Sequence, residues 1–546
     1  MELIDQHTKG IMEGCKARAR AAGLRFGDET LEYIVTNRDL LELTPKYMIP
    51  TLYDYWVHDV EVLKEKGRYE LYPGNPYETV INTRPAISFY NDNNPDWLNV
   101  MIFYHVLGHI DFFQNNLFFR HTWDFDLTGQ ALADKRLIAR LRSEKGRWVD
   151  YVIEFARGID NLVGYYRELS EQLRPGPADR QTRRLDYYFD VFLQRIKQVR
   201  GSEYLKEIAS YNDCLKRDGK AAGQSFFSEV ARRYPEFEAV YQKERRRSPP
   251  RSVDLLQFLM DHSEFLNRDE NKWMLSVIHV VRKTSLYFQP QIRTKIMNEG
   301  WSSYWHEKLF MEDDRIRGHE VDFARVNAWV TSMPRVGLNP YALGMRLFHH
   351  IEEMADKGRY GLSFERQRMQ TERDAYDDGS ANGRDFIFSV REDFSDFTFL
   401  NTFVDQDFVC RHNLFVAEKR LNQARMTWEY LVKSRKAEDY RQMIFDTLYH
   451  PPSITVSPDQ RTEGSLYLVH RFEEKPLLKE YIANTMLGIE YLWGGPVHLE
   501  TNEPAEPTVA REEPFGRGSG EPERPPLSWR KMLYTMENRE LTSRPL

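Results

Sequence analysis

The chain has 546 residues, of which 41% are hydrophobic, 29% charged and 13% aromatic, and its formal net charge is -7. Such a composition is that of a soluble globular protein with enough core for several domains, and the acidic balance excludes a protein that coats nucleic acid. Cys15, Cys214 and Cys410 lie far apart with no Cys-x-x-Cys spacing, which excludes a disulfide framework or a thiolate zinc knuckle and fits a reducing cytoplasm. The N-terminus shows no basic segment leading into an apolar stretch, so no secretory signal is expected. No window approaches the ~18 uninterrupted apolar residues of a spanning helix.

In chain order, residues 3–26 and 28–43 read as helices. Residues 77–82 and 86–90, joined by Thr83-Arg84-Pro85, predict a β-hairpin. Asn93-Asn94-Pro95-Asp96 is a helix-start signal, with Asn94 or Asp96 as cap, opening a helix from Trp97 to about Phe113. Residues 128–239 are helical in pattern, and the basic run 243–251, beside Pro249 and Pro250, reads as a solvated loop. Helices over 253–265 and 271–287 follow, with Pro290 separating the second from a helix that begins near Ile292 and runs through Glu299 to Phe310. Gly337-Leu338-Asn339-Pro340 reads as a turn into a helix over 341–357. After residue 400 the pattern becomes strand 414–418, possible strand 426–430, helix 437–449, strands 453–456 and 466–470, helix 477–493 and strand 497–500. That β-α-β-β-α-β order predicts a ferredoxin-like unit over 408–503, and the Pro, Glu and Arg content of 504–546 predicts a flexible tail. The expected fold class is therefore α+β: a large, mainly helical N-terminal domain over 1–405 with a zincin-like hairpin plus helix, then a small ferredoxin-like domain.

Chemistry concentrates in two runs. His105-Val106-Leu107-Gly108-His109 places two imidazoles four residues apart, on one helix face about 6 Å apart at their β-carbons. Glu299 and His306 are seven apart, two helical turns, and share a face as well. A carboxylate and three imidazoles are ligands that zinc favours. The expected centre is a His105, His109, Glu299 triad with one open position, His306 being a fourth ligand or a donor behind the ligands. The base of a His-Glu-x-x-His peptidase would stand at position 106, and here it is Val106. A hydrolase must then use Glu307 or Asp111 as base. Two protonated histidines satisfying a buried carboxylate are the competing structural reading. Asp160 is a weaker candidate for an acid behind the ligands, more consistent with a surface ion pair. Asn115 and Asn116 read as turn residues. Tyr341 is the one side chain of its turn able to reach a pocket. His349 and His350, being adjacent, diverge on a helix.

Several of these runs together resemble the SpoVR family, the stage V sporulation protein R group. They are Val80-Ile81-Asn82, the His105-to-His109 run with Asp111-Phe112-Phe113-Gln114-Asn115-Asn116, Tyr287-Phe288-Gln289-Pro290-Gln291, Met297-Asn298-Glu299-Gly300-Trp301 with Trp305-His306, and Gly337-Leu338-Asn339-Pro340-Tyr341-Ala342-Leu343-Gly344. The resemblance spans about residues 1–500. It implies a cytoplasmic bacterial protein linked to spore-cortex peptidoglycan formation in spore-formers. It also implies a genomic association with a serine protein kinase of AAA+ type and a protein with a von Willebrand factor A-like domain. Two functions follow as expectations: a metal-dependent hydrolase acting on amide bonds, or a non-catalytic adaptor whose histidine cluster is structural.

Overall fold

A computed structural model describes residues 2–27, 29–36, 78–122, 127–162, 254–422, 427–448, 452–457, 464–472, 476–505 and 529–546, with residue 39 and parts of 184–247. The chain forms two compact units, Met1–Val163 with Leu259–Leu546, and Gly164–Phe258. In the second unit the helices Ala222–Arg233 and Phe237–Arg247 and the π-helix Tyr187–Ile196 enclose an aromatic core of Tyr188, Phe192, Phe226, Phe227 and Phe237. The boundary expected near residue 405 falls inside the first unit.

The first unit opens with strand β1 (Glu2–Leu3), helix α1 (Gln6–Ala21), strand β2 (Thr30–Val35) and the hairpin β3 (Glu78–Ile81) and β4 (Ala86–Asn91). They form a four-stranded sheet in the order β1-β2-β4-β3, with β2 parallel to β4 and the hairpin antiparallel. The hairpin lies where the sequence predicts it. The helix expected over 28–43 does not form over 30–35: Thr30-Leu31-Glu32-Tyr33-Ile34-Val35 is rich in β-branched and aromatic residues, and pairing with β4 satisfies its backbone. Most of the remainder of that expected helix lies outside the described residues. Asp5 caps α1 by accepting from the Thr8 N–H, so this helix starts three residues later than expected.

Helix α2 (Asp96–Asn115) carries the histidine pair. Every residue from Leu98 to Phe113 is buried, so it is a core helix covered on all sides, and its polar side chains need partners within the protein. Helices α3 (Leu127–Lys145) and α4 (Trp148–Arg157) follow, then α5 (Lys272–Arg293) and α6 (Lys295–Glu312). Pro290 lies inside α5 rather than at its end. The chain breaks instead at Thr294, whose hydroxyl donates to the Pro290 carbonyl. Next come α7 (Glu320–Val330), α8 (Pro340–Asp356), α9 (Gly383–Asp393) and α10 (Asp396–Phe403). Asn339 caps α8 as its Asn-Pro start suggests, accepting from Tyr341 N–H at 3.0 Å.

Small residues set the spacing of the core helices. A β-carbon on Gly108 of α2 would come within 2.7 Å of Ser302 Cα on α6. One on Gly344 of α8 would come within 2.7 Å of Gly300 Cα and collide with the Ile296 carbonyl oxygen. Helix α6 is therefore held backbone-close to α2 on one side and to α8 on the other. Its N-terminus has no cap of its own; the buried Asp396 carboxylate accepts from Ile296 and Met297 N–H, both at 2.8 Å. Burial pushes the Asp396 carboxyl up to about 7, opposed by these two amide bonds.

Beyond α10, strands β5 (Val416–Asn422) and β6 (Thr427–Ser434) pair only with each other among the described residues. After α11 (Ala437–Thr447) come β7 (Ser453–Val456), β8 (Leu466–Arg471), α12 (Lys479–Trp493), β9 (Val497–Pro504), β10 (Trp529–Glu537) and β11 (Glu540–Pro545). The elements through β9 follow the expected order, but their assembly differs. The sheet runs β11-β10-β9-β8-β7, with β8 and β9 parallel around α12. A ferredoxin-like unit would place its first strand in this sheet, and β5 is not there. Residues 529–545, expected within a flexible tail, supply two strands instead. Met532, Leu533, Tyr534 and Met536 are buried there, and Asn538 and Arg539 turn the hairpin with φ of 52° and 66°. Helix α12 stacks Tyr491 on Trp148 and packs it at a tilt against Phe155 of α4, so this region shares its packing with the N-terminal helices.

Candidate metal centre

Helix periodicity brings His105 and His109 to one face of α2, with ring centroids 4.6 Å apart. The close approach at Gly108 and Ser302 brings Glu299 of α6 against them. His109 Nε2 lies 3.5 Å and His105 Nε2 3.9 Å from Glu299 Oε2. One ligand atom from each of the three falls within 4.8 Å of the other two. In tetrahedral zinc with bonds of about 2.0–2.1 Å, neighbouring ligand atoms are about 3.4 Å apart. The two edges to Glu299 are thus within about half an ångström of a coordination polyhedron. The side chains are 8%, 10% and 17% exposed for His105, His109 and Glu299, so the cluster meets solvent through a small aperture. Phe113 stacks on the His109 ring, and Tyr341, singled out in the sequence, stacks on His105 at 6.0 Å.

His306 does not stand beside the triad as a fourth ligand. It lies behind His105, with Nδ1 2.9 Å from His105 Nδ1 and Nε2 2.9 Å from Asn327 Oδ1 of α7, so both ring nitrogens are engaged within the protein. Seven residues put it on the same side of α6 as Glu299, but two turns along the axis, about 10 Å. Glu307 is farther back: it accepts from Asn327 Nδ2 at 2.7 Å and lies 3.6 Å from His349 Nε2. The His349 bond holds its carboxyl below the usual range. Glu307 therefore reaches the cluster only through Asn327 and His306.

Asp111, the other expected base, is turned away. Two residues rotate a helix by about 200°, and its carboxylate instead accepts from Arg25 N–H at 2.7 Å and Trp301 Nε1 at 2.8 Å, with Arg391 Nε at 3.4 Å. Burial pushes this carboxyl up, against the pull of Arg391. It ties α2 to α6 and α9. Asp160 lies on a short 3-10 turn, where burial raises it to about 6 against the Arg157 charge. Asn115 and Asn116 bond backbone carbonyls, as turn residues do. His349 and His350 diverge, to Glu307 and Asp405 respectively.

Two asparagines escaped the sequence reading. Asn298 Oδ1 lies 2.9 Å from His109 Nδ1; its adjacency to Glu299 was the available signal. Asn327 sits 20 residues beyond Glu307 on another helix, and no spacing rule connects them.

Burial pushes His306 down to about 3 from an ordinary 6.5, with the neighbouring His105 adding to the shift. Between those values the unfolded chain binds more protons than the folded one. Stability is therefore fully present above about 6.5 and is lost as pH falls toward 3. One such group changes stability by about 1.4 kcal/mol per pH unit inside the window. For metal-free protein, the pH dependence of the urea midpoint between about pH 6.5 and 4.5 is expected to differ between wild type and His306→Gln by roughly one proton, the variant losing less stability or gaining more as pH falls, while the raised Asp396 and Asp160 carboxyls act in the opposite direction in both proteins. An unchanged slope in the variant would reject this assignment.

No described helix is long and apolar enough to cross a membrane. A family model described as "SpoVR like protein" matches residues 5–450, a span that includes every residue of the cluster. The chain is 24% identical over 493 residues to "Uncharacterized protein YcgB" of Escherichia coli (strain K12), covering 86% of each chain. No solved structure matches it.

Proposed function

Because the chain belongs to the SpoVR family, we propose that it acts in cell-envelope or spore-cortex formation through a metal centre, with His105, His109 and Glu299 holding one divalent ion. The observation that carries this reading is the convergence of two imidazole nitrogens and a carboxylate, contributed by two helices remote in sequence, within 4.8 Å. Two nitrogens and one oxygen suit zinc, and three protein ligands leave a position open, as hydrolytic zinc sites do. When bound, such an ion polarises a carbonyl and acidifies water, and amide hydrolysis is the reaction class we assign. The antiparallel hairpin β3–β4 running into α2 repeats the local layout of zincin peptidases, an analogy that supports the assignment without carrying it.

This chain's own residues hold and enclose the ion. His105 and His109 would present their Nε2 atoms and Glu299 would supply the charge, while the Tyr341 and Phe113 rings stack on the two imidazoles. With Val106 at the usual base position and both Glu307 and Asp111 engaged elsewhere, no dedicated base adjoins the triad among the described residues. That observation favours a second reading, in which the centre stabilises an adaptor for a serine protein kinase and a von Willebrand factor A-domain protein.

Metal analysis of purified protein tests the centre itself. About one divalent ion per chain is expected, removable by a chelator and restored by zinc. Protein that neither carries nor takes up an ion would leave the cluster as a charge-paired histidine core. Amide hydrolysis that depends on the restored ion separates the first reading from the adaptor.

A further inference from the structure

Behind the triad, a line of polar groups runs from the partly exposed His349 through Glu307, Asn327 and His306 to His105, and hydrogen-bond direction can be followed along it. The Glu307 carboxylate can only accept, so the Asn327 amide turns its Nδ2 toward Glu307, at 2.7 Å. Its Oδ1 then faces His306 Nε2, at 2.9 Å. An amide oxygen can only accept as well, so His306 carries its hydrogen on Nε2.

His306 is 0% exposed and packed against a second imidazole and the Phe323 ring. In the neutral ring, whose single hydrogen Asn327 holds on Nε2, Nδ1 is bare. That bare nitrogen lies 2.9 Å from His105 Nδ1. For the contact to be a hydrogen bond, His105 must donate from Nδ1. Its Nε2 is then left with a lone pair, directed toward Glu299 and His109.

We infer that Asn327, locked in one orientation by Glu307, determines which nitrogen of His105 is offered to a metal ion, and so acts as a positioning residue for the centre. This rests on the metal reading above. Asn298 does for His109 in one bond what Asn327 does for His105 in two: Oδ1 accepts from His109 Nδ1 at 2.9 Å and leaves Nε2 bare. Were the Asn327 amide reversed, the same logic would put the His105 hydrogen on Nε2, pointing it at the ion. Glu307 and His306 thus acquire a common task without touching the ion: they orient a ligand.

The test uses the full chain, cobalt and zinc as probes, and selective 15N labelling of histidine. Asn327→Leu is expected to weaken binding of both ions about 10- to 100-fold, as loss of a partner behind a ligand does, and to alter the visible spectrum of the cobalt form. The paired change Asn327→Asp with Glu307→Gln keeps an acceptor facing His306 and reverses only the bond behind it; it is expected to restore affinity to within about threefold, on the same physical ground. A merely structural role predicts no such rescue. In metal-free wild type the His105 resonances should report hydrogen on Nδ1, and Asn327→Leu should mix the two tautomers. Wild type that binds metal while Asn327→Leu binds it equally well overturns the inference alone. Wild type that binds no metal overturns the centre, and the inference then falls or survives on the tautomer of His105. Hydrogen found on His105 Nε2 in metal-free wild type overturns it outright.

Discussion

Glu299→Gln is expected to abolish stoichiometric metal binding while leaving the fold intact. The substitution keeps the size and shape of the side chain but removes the charge that sits 3.5 Å and 3.9 Å from the two imidazole nitrogens. Loss of a partner behind a ligand costs about 10- to 100-fold in affinity, and loss of a ligand costs more, so a drop of at least about a hundredfold is expected. His109→Ala should match it. Any stabilisation that the ion confers on the fold, about 4 kcal/mol at a thousandfold excess over the dissociation constant, should vanish with the ligand. The competing account gives a different pattern. If the histidines are protonated partners of a buried carboxylate, Glu299→Gln strands two charges and lowers the metal-free stability most at low pH. Equal zinc content in wild type and both variants would end the metal reading.

Gly344→Ala is expected to cost more than about 3 kcal/mol of stability, at the upper end of overpacking effects. The added β-carbon would fall on the Ile296 carbonyl oxygen and lie 2.7 Å from Gly300 Cα. Both obstacles are backbone, so no side chain can swing aside; α6 and α8 must separate. Glu299 is the residue before Gly300, so the separation should also weaken metal binding. Gly10→Ala is the control, since Gly10 lies inside α1 with nothing within 4 Å of its added β-carbon. It should be neutral or stabilising by about 0.5–1 kcal/mol, as an alanine in a helix interior is. A denaturant midpoint unchanged in Gly344→Ala would show that α6 and α8 are not in backbone contact.

Secondary structure was most legible where the sequence pattern is local. The hairpin over 78–91, α2, α8 and the elements from 437 to 500 lie close to their expected positions, because alternation and caps such as Asn339 act within a few residues. Residues 30–35 carry no decisive local sign of their strand, because their pairing partner β4 is more than fifty residues away. The strands at 529–545 were hidden by the composition of the segment before them; their burial depends on the edge of β9, which the tail sequence does not reveal. Pro290 locally signals a helix end, yet the helix continues to Arg293.

The site divides the same way. Spacing alone determined that His105 pairs with His109, because four residues on a helix share a face whatever surrounds them. Which carboxylate meets them depends on the tertiary contact at Gly108 and Ser302, which selects Glu299 and leaves Glu307 outside; Asp111 is turned away by helix rotation alone. The direction of each hydrogen bond around the triad also depends on the tertiary structure, since Asn327 and Glu307 meet only when side chains of α6 and α7 come together. Helix periodicity is a property of neighbouring residues, whereas a ligand set and its tautomers are properties of groups that only folding brings within bonding distance.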